Sequence, residues 1–93
     1  MTPDQIDAIA RAGYEATDPF RKWDQIDGNE RQLWRLATPH STPRTVRLGR
    51  FTGYTDRLDW EDLPPKTRNM WRHVSAAINA ERDRLSASSS IAA

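Results

Sequence analysis

The feature that most constrains the fold is a pair of tryptophan-rich stretches that match each other at a spacing of thirty-seven residues, over residues 23–37 and 60–74. Each stretch begins with a tryptophan and continues into an Arg-x-x-Trp-Arg run, where helical spacing puts the second tryptophan on an apolar face. We therefore predict an eroded internal duplication, with repeat units at about 1–38 and 39–80. The aligned identical pairs are Trp23 with Trp60, Arg31 with Arg68, Trp34 with Trp71, and Arg35 with Arg72.

Length and composition allow one small domain. The chain has 93 residues, four tryptophans and no cysteine, so a core built from a few large rings must hold it together without disulfides. No apolar run approaches the roughly 20 residues that span a bilayer. We predict a single domain over residues 1–85, a flexible tail over residues 86–93, and a reducing cytoplasmic environment with no membrane partner.

Capping residues and apolar spacing predict the first two helices. Thr2 and Gln5 have the spacing of a capping box, and an apolar stripe at helical spacing follows as far as Tyr14. The second helix is predicted to begin at Asp27, whose carboxylate can cap the backbone, and to stop before Pro39. The second helix is short, so it needs tertiary packing to be stable.

The third predicted helix starts near Pro64 and is the longest, with Glu81 as the one polar residue in its apolar stripe. Between the second and third helices, residues 45–48 alternate apolar and polar side chains like a strand. Pro43 and Gly49 argue against a helix in this region. We therefore expect a mainly α, three-helix domain with an extended or short β segment between helices 2 and 3.

The four tryptophans have a structural and a functional interpretation. In the structural one, the first tryptophan of each stretch lies across the helix that carries the second and closes the core of its unit. In the functional one, the rings form a stacking platform for bases or for a partner's side chains. The helical register of Trp34 with Leu33, and of Trp71 with Met70, favours the structural interpretation.

Charge is distributed unevenly, although the net charge is only +1. Residues 1–30 contain seven acidic and three basic residues, whereas residues 31–55 contain no acid. Such polarity steers association with charged partners, and arginine and aromatic side chains lead among interface anchors. We therefore select the basic middle of the chain as the partner-binding surface. Its predicted contact residues are Arg44, Arg47, Arg50, Phe51, Tyr54 and Arg57.

No residue pattern in the chain predicts catalysis. His40 and His73 are the only histidines, and neither belongs to a hydrolase or zinc motif. The acidic trio Asp59, Glu61 and Asp62 has no second cluster of ligands to complete a metal site. The glycines form no phosphate-binding loop. We predict that the protein is not an enzyme and has no catalytic residues, no metal and no cofactor.

The first unit carries a pattern formed by Ile6, Asp7, Ala8, Ile9, Ala10, Tyr14, Trp23, Ile26, Arg31, Trp34 and Ala37. With this pattern, the first unit resembles small helical proteins encoded by phages and prophages. The second unit, over residues 60–64, is similar to the end of bacterial domains like the ryanodine-receptor repeat, whose fuller signature is missing here. The resemblance implies an origin in a phage or mobile element, and it carries over no functional residues.

The leading functional hypothesis is a non-enzymatic, phage-encoded interaction protein that binds and modulates a bacterial host protein in the host cytoplasm. The alternative is a nucleic-acid-binding protein that uses the basic stretch over residues 31–57, where arginines flank aromatic side chains. A third possibility is a small nucleotide-like ligand bound between the two units. The amino-acid sequence leaves open which host protein is bound and whether the chain is a monomer or a homodimer.

Overall fold

The computed structural model describes residues 2–17, 20, 22–50 and 59–92. These residues contain four α-helices and two short 3₁₀ helices, and none of them lies in a strand. The predicted mainly α class is therefore confirmed. The α-helices are α1 (Pro3–Glu15), α2 (Gly28–Ala37), α3 (Pro43–Arg50) and α4 (Pro65–Ala92), and the 3₁₀ helices span Trp23–Gln25 and Trp60–Asp62.

Side-chain caps begin the first two helices where the sequence predicts them. The Thr2 Oγ1 accepts the Gln5 backbone N–H at 3.2 Å, and the Gln5 Oε1 accepts the Thr2 backbone N–H at 2.9 Å. This capping box satisfies two of the backbone groups that lack a partner at the start of α1. At the start of α2, the Asp27 carboxylate accepts the Glu30 N–H at 2.8 Å.

The predicted extended or β segment between the second and third helices is wrong, because residues 43–50 form α3. Its proline stands in the first turn, where a helix needs no backbone N–H. Ahead of it, the Thr42 Oγ1 accepts the Thr45 N–H at 3.2 Å. Gly49 does not end the helix but allows close packing, since a Cβ there would lie 2.6 Å from the His40 imidazole. The described residues thus form four α-helices instead of three.

Aromatic rings form the centre of the core. The Trp34 and Trp71 indoles stack with their centroids 6.1 Å apart and an angle of 26° between their planes. Tyr14 meets Trp34 edge-on at 5.8 Å and Trp23 at 6.2 Å. These four rings are buried, so three of the four tryptophans are core residues, while Trp60 is half-buried at the edge. The predicted separate core for each unit is not found, because Trp34 and Trp71 stack on each other in one shared core. Apolar side chains complete the core: Ile9, Ala10, Ala37, Val46, Leu63, Val74 and Ile78.

The structure does not support the predicted duplication as a repeat of two equal units. The 3₁₀ helices at Trp23 and Trp60 have the same local conformation, and each leads into an α-helix. However, α1 has 13 residues and α3 has 8, while α2 has 10 and α4 has 28. The two matched stretches therefore share a turn and a helix start, and they differ in the length of the elements around it.

The last helix sets the long dimension of the molecule. A helix of 28 residues is about 42 Å long, and the molecule measures 45 Å along one axis and 25 Å along the other two. Leu85 packs against the core, and α4 continues past it to Ala92, so the backbone of residues 86–92 in the predicted tail is helical. None of the helices in the described part of the chain has both the length and the apolar character to cross a membrane.

Candidate functional site

A surface cleft with a volume of about 500 Å³ runs along the outer side of α1. Its walls come from three parts of the fold, namely α1, the 3₁₀ helix that starts at Trp23, and the middle of α4. Four carboxylates and one guanidinium line it, and we call it the acidic cleft. The lining residues are Asp4, Asp7, Ala8, Arg11, Ala12, Glu15, Trp23 and Glu81.

The amphipathic character of α1 places the acidic cleft. Ile9, Ala10, Gly13 and Tyr14 face the core, so the residues one turn apart on the opposite side are left to line the surface. Ala8 and Ala12 lie on this side at successive turns, and their small side chains leave the space between the charged residues open. Glu81, the polar residue in the apolar stripe of α4, lines the other wall of the acidic cleft.

Hydrogen bonds within the fold hold two of the carboxylates in place. The Asp7 Oδ1 accepts from the Arg35 Nε at 2.5 Å, which ties α1 to α2. The Glu15 Oε2 accepts from the Arg11 Nε at 3.2 Å and from the backbone N–H of Trp23 at 3.4 Å. Glu15 thus fixes the start of the 3₁₀ helix, and its carboxylate lines the acidic cleft beside Trp23.

Glu81 carries a negative charge at neutral pH. Two hydrogen bonds from Arg84, at 2.5 and 3.1 Å, lower the pKa of the Glu81 carboxyl from its ordinary value of 4.5, against an opposing effect of partial burial. On the opposite wall, Asp4 lies in the first turn of α1, where the helix dipole favours a negative charge. Among the residues that the structure describes, Asp4 makes no ion pair, so its charge is available to a ligand.

The structure places the predicted contact residues in different environments. Arg44 is an exposed residue of α3, and its guanidinium lies 2.5 Å from the Glu61 carboxylate. Arg47 belongs to the same helix but is only 5% exposed, and the Arg50 side chain is 11% exposed. The described members of the set therefore do not form one open surface. Phe51, Tyr54 and Arg57 lie outside the described residues.

Arg50 makes a contact cluster that joins α3 to α2. Its guanidinium lies 2.5 Å from the Glu30 carboxylate and 5.4 Å from the centroid of the Trp34 indole. The Trp34 Nε1 donates to the same Glu30 oxygen at 3.2 Å. A cation, an aromatic ring and a carboxylate that meet at this depth favour a structural role, because the Glu30 carboxylate accepts hydrogen bonds from both of the other groups.

Other arginines of the basic stretch also connect elements of the fold. The Arg31 Nε donates to the Trp23 carbonyl oxygen at 3.3 Å, and its guanidinium lies 5.9 Å from the centroid of that indole. Arg35 of α2 forms an ion pair with Asp7 of α1. The basic stretch that the sequence marks as a surface thus contributes several of its cations to contacts between helices.

No family model, curated protein or solved structure matches this chain. The candidate site is therefore defined by its own geometry. In the described residues, no group of three or more histidine, cysteine, aspartate and glutamate side chains is placed to hold a metal ion. His40 packs its ring against Gly49, and His73 is exposed on α4.

Sequence reasoning missed the residues of the acidic cleft. Two signals pointed toward them: the excess of acids in residues 1–30, and the polar Glu81 within an apolar stripe. Neither signal shows that α1 and α4 pack side by side, and this packing brings Glu81 next to the outer side of α1.

Proposed function

We propose that this protein is a non-enzymatic binding module for another protein, and that the acidic cleft is its contact surface. The observation that carries the proposal is a cleft in which four carboxylates surround an open floor of two alanines. Asp4 makes no ion pair among the described residues, while the other three carboxylates are each paired with one arginine. A concave surface of one predominant charge focuses the electrostatic field and raises the rate of encounter with oppositely charged groups. Fixed carboxylates also reject partners of like charge.

The same geometry disfavours the two other ligand classes. The carboxylates of the acidic cleft repel phosphate groups, so the cleft does not suit a nucleotide or a nucleic-acid backbone. Arg31, Arg35 and Arg50 of the basic stretch are engaged with groups of the fold itself. A phosphate-tracking surface requires such cations to be turned toward solvent. A protein partner is therefore favoured over nucleic acid.

From the sequence resemblance we propose further that the protein is phage-encoded and acts in the cytoplasm of a bacterial host, where it binds and modulates a host protein. The Trp-x-x-Ile-x4-Arg-x-x-Trp pattern supports this origin. The acidic cleft supplies a surface through which such binding would occur, and one of the buried rings of the core, Trp23, forms part of its lining.

Affinity capture from bacterial lysate, with three versions of the tagged protein, tests the proposed function. The wild type is compared with the double variant Asp4→Lys/Glu81→Lys and with the charge-matched control Asp59→Lys/Asp83→Lys, which alters exposed acids outside the acidic cleft. We expect one partner to be retained by the wild type and the control and lost by the cleft variant. Equal capture by all three versions, or loss of the partner after nuclease treatment, contradicts the proposal.

A further inference from the structure

The start of α4 carries two arginines that make no ion pair within the described part of the chain. Arg68 and Arg72 lie one helical turn apart, next to the 3₁₀ helix that begins at Trp60. We infer that these three residues, the arginine site, bind a peptide segment of a partner protein through one aspartate or glutamate side chain. The inference goes beyond the proposed function, because none of the three lines the acidic cleft.

Arg68 is a half-buried cation whose guanidinium has no hydrogen-bond acceptor among the described residues. Its Nε is covered by neighbouring atoms and donates to none of them. Its terminal nitrogens also lack a partner there, and they are not fully covered, so a ligand can reach them. A covered donor on a charged group has lost its water and gained no bond in exchange, which is costly. An acceptor oxygen from a partner would offset part of this cost.

Arg72 is exposed and lies over the half-buried indole of Trp60. Its guanidinium carbon is 5.9 Å from the centroid of that ring, and its Nη1 donates to the Asn69 side-chain oxygen at 2.6 Å. Neither contact neutralises the charge of Arg72. Arginine and tryptophan are enriched among the residues that contribute most to protein interfaces. A partner that covers the Trp60 ring therefore meets an arginine whose charge is not yet balanced.

The first tryptophan-rich stretch shows which acceptors such an arginine pair binds. Arg31 and Arg35 align with the two arginines of the arginine site. Arg31 donates to the backbone carbonyl oxygens of Trp23 and Asp24, each at 3.3 Å. Arg35 donates to the carboxylate of Asp7 at 2.5 Å. Within this fold, the aligned arginines are thus satisfied by backbone carbonyls and one carboxylate.

The arginine site lacks both kinds of acceptor. Arg44 stands at the position that aligns with Asp7, so a cation replaces the carboxylate. Arg44 in turn pairs with Glu61 at 2.5 Å, and Glu61 makes no ion pair with either arginine of the site. A peptide segment with an acidic side chain supplies carbonyl and carboxylate oxygens together, whereas a nucleic-acid backbone supplies phosphates.

Three exposed acids restrict the ligand further. Asp59, Glu61 and Asp62 adjoin Trp60 in the chain, and all three side chains are exposed. They repel a run of phosphates or of acidic residues, because like charges that face each other are unfavourable. The arginine site therefore suits one carboxylate flanked by uncharged residues, and it does not suit a polyanion.

Selection from a random library of displayed eight-residue peptides tests the inference. The immobilised wild-type protein is the bait, and peptides that also bind Arg72→Gln are removed by counter-selection. We expect the remaining enriched peptides to share one aspartate or glutamate with uncharged neighbours. An absence of enriched peptides, or enriched peptides without a shared acidic residue, overturns the inference.

The most enriched peptide is then compared with an analogue whose acid is replaced by the corresponding amide, by fluorescence anisotropy. The amide should bind about tenfold more weakly to the wild type, because charge-assisted hydrogen bonds are lost. In Arg72→Gln this difference should shrink, as expected for groups in contact. Lys66→Gln is the matched control, since it removes an exposed cation on another side of α4. An equal effect of Lys66→Gln and Arg72→Gln overturns the inference.

Arg68→Met separates a binding role from a structural one. It removes a guanidinium that bonds to nothing in the described part of the chain, so the urea midpoint of unfolding should not fall. The affinity for the selected peptide should fall by about tenfold. A lower midpoint with unchanged peptide affinity assigns Arg68 to the fold and overturns the inference.

Two measurements distinguish other occupants of the same surface. A single-stranded DNA of eight nucleotides should bind more weakly than the selected peptide, and light scattering should show no self-association that depends on Arg72. Tighter binding of the DNA overturns the inference in favour of nucleic acid. Self-association that Arg72→Gln abolishes overturns it in favour of a second copy of this chain.

Discussion

Replacing Gly13 with alanine tests the packing of α1 against α4, because a side chain at this position has no room. A Cβ at Gly13 would lie 2.9 Å from both the Cδ1 and the Cγ1 of Ile78, and 3.5 Å from the Trp34 ring. Ile78 is completely buried, so its side chain has no open space into which it could rotate. The backbones of the two helices approach this closely because residue 13 lacks a side chain.

Two opposing effects determine how much Gly13→Ala changes the free energy of unfolding. Alanine is more favourable than glycine in a helix interior by about 1 kcal/mol. Inserting a methyl group into a filled core costs about 1–3 kcal/mol, and two contacts at 2.9 Å place this site near the middle of that range. We expect a net destabilisation of about 1 kcal/mol. Gly28→Ala is the matched control, since no atom lies within 4 Å of its Cβ, and it should stabilise by up to about 1 kcal/mol.

Urea unfolding followed by tryptophan fluorescence measures both effects, and a double-mutant cycle identifies the cause. Ile78→Val deletes the Cδ1, one of the two atoms in the way, and by itself costs about 0.5–1.5 kcal/mol. In that background the penalty of Gly13→Ala should shrink by about 1 kcal/mol, which is the coupling expected for residues in contact. A stabilising Gly13→Ala whose effect is the same in both backgrounds would refute the close approach of α1 and α4.

Three further predictions concern the core, a helix junction and the acidic cleft. Trp34→Ala removes the central stacked ring and should cost about 3–5 kcal/mol in urea unfolding; a loss below about 1 kcal/mol would contradict the burial of this indole. Arg82→Met removes donors to the carbonyl oxygens of Thr38 and His40 at the end of α2, so it should cost about 1–2 kcal/mol and speed amide exchange at this junction; unchanged exchange would exclude the contact. Arg84→Gln should raise the pKa of Glu81 toward 4.5 in an NMR titration. Because the folded pKa is the lower one, the stabilising contribution of Glu81 in the wild type is present above its unfolded pKa and lost as pH falls through the folded pKa.

Local chemistry predicts the parts of the fold that depend on neighbouring residues. The caps at Thr2 and Asp27 lie three residues from the N–H groups they satisfy, so the start of each helix is encoded within one turn. The burial of Trp34 and Trp71 follows from apolar residues at helical spacing. These predictions are confirmed because short-range pattern and tertiary packing agree.

The missed helix α3 shows where short-range pattern is ambiguous. The alternation over residues 45–48 fits a strand, but four residues are too few to distinguish a period of two from a helical turn. Pro43 occupies a first turn that accepts proline, and Gly49 serves the contact with His40. Proline and glycine are each compatible with a helix at particular positions, and the tertiary neighbours of the residue decide whether the helix forms there.

The candidate site depends on contacts between residues that are distant in sequence. Arg50 was assigned to a binding surface, yet its ionic partner Glu30 is twenty residues earlier in the chain and draws the guanidinium toward the core. In the same way, Glu81 meets α1 only because the two helices pack together. Composition indicates how much charge a segment carries, but it does not indicate which charged side chains are paired with each other inside the fold.

Mapping the bound partner on the protein by NMR tests the central claim most directly. The ¹⁵N-labelled protein is titrated with the partner that affinity capture identifies, and the amide shifts of every residue are followed. We predict that the largest changes fall on the outer side of α1, at Asp4, Ala8 and Arg11, and on α4 around Glu81. Changes concentrated on α3 around Arg44, with α1 unaffected, would contradict the assignment of the acidic cleft as the binding surface.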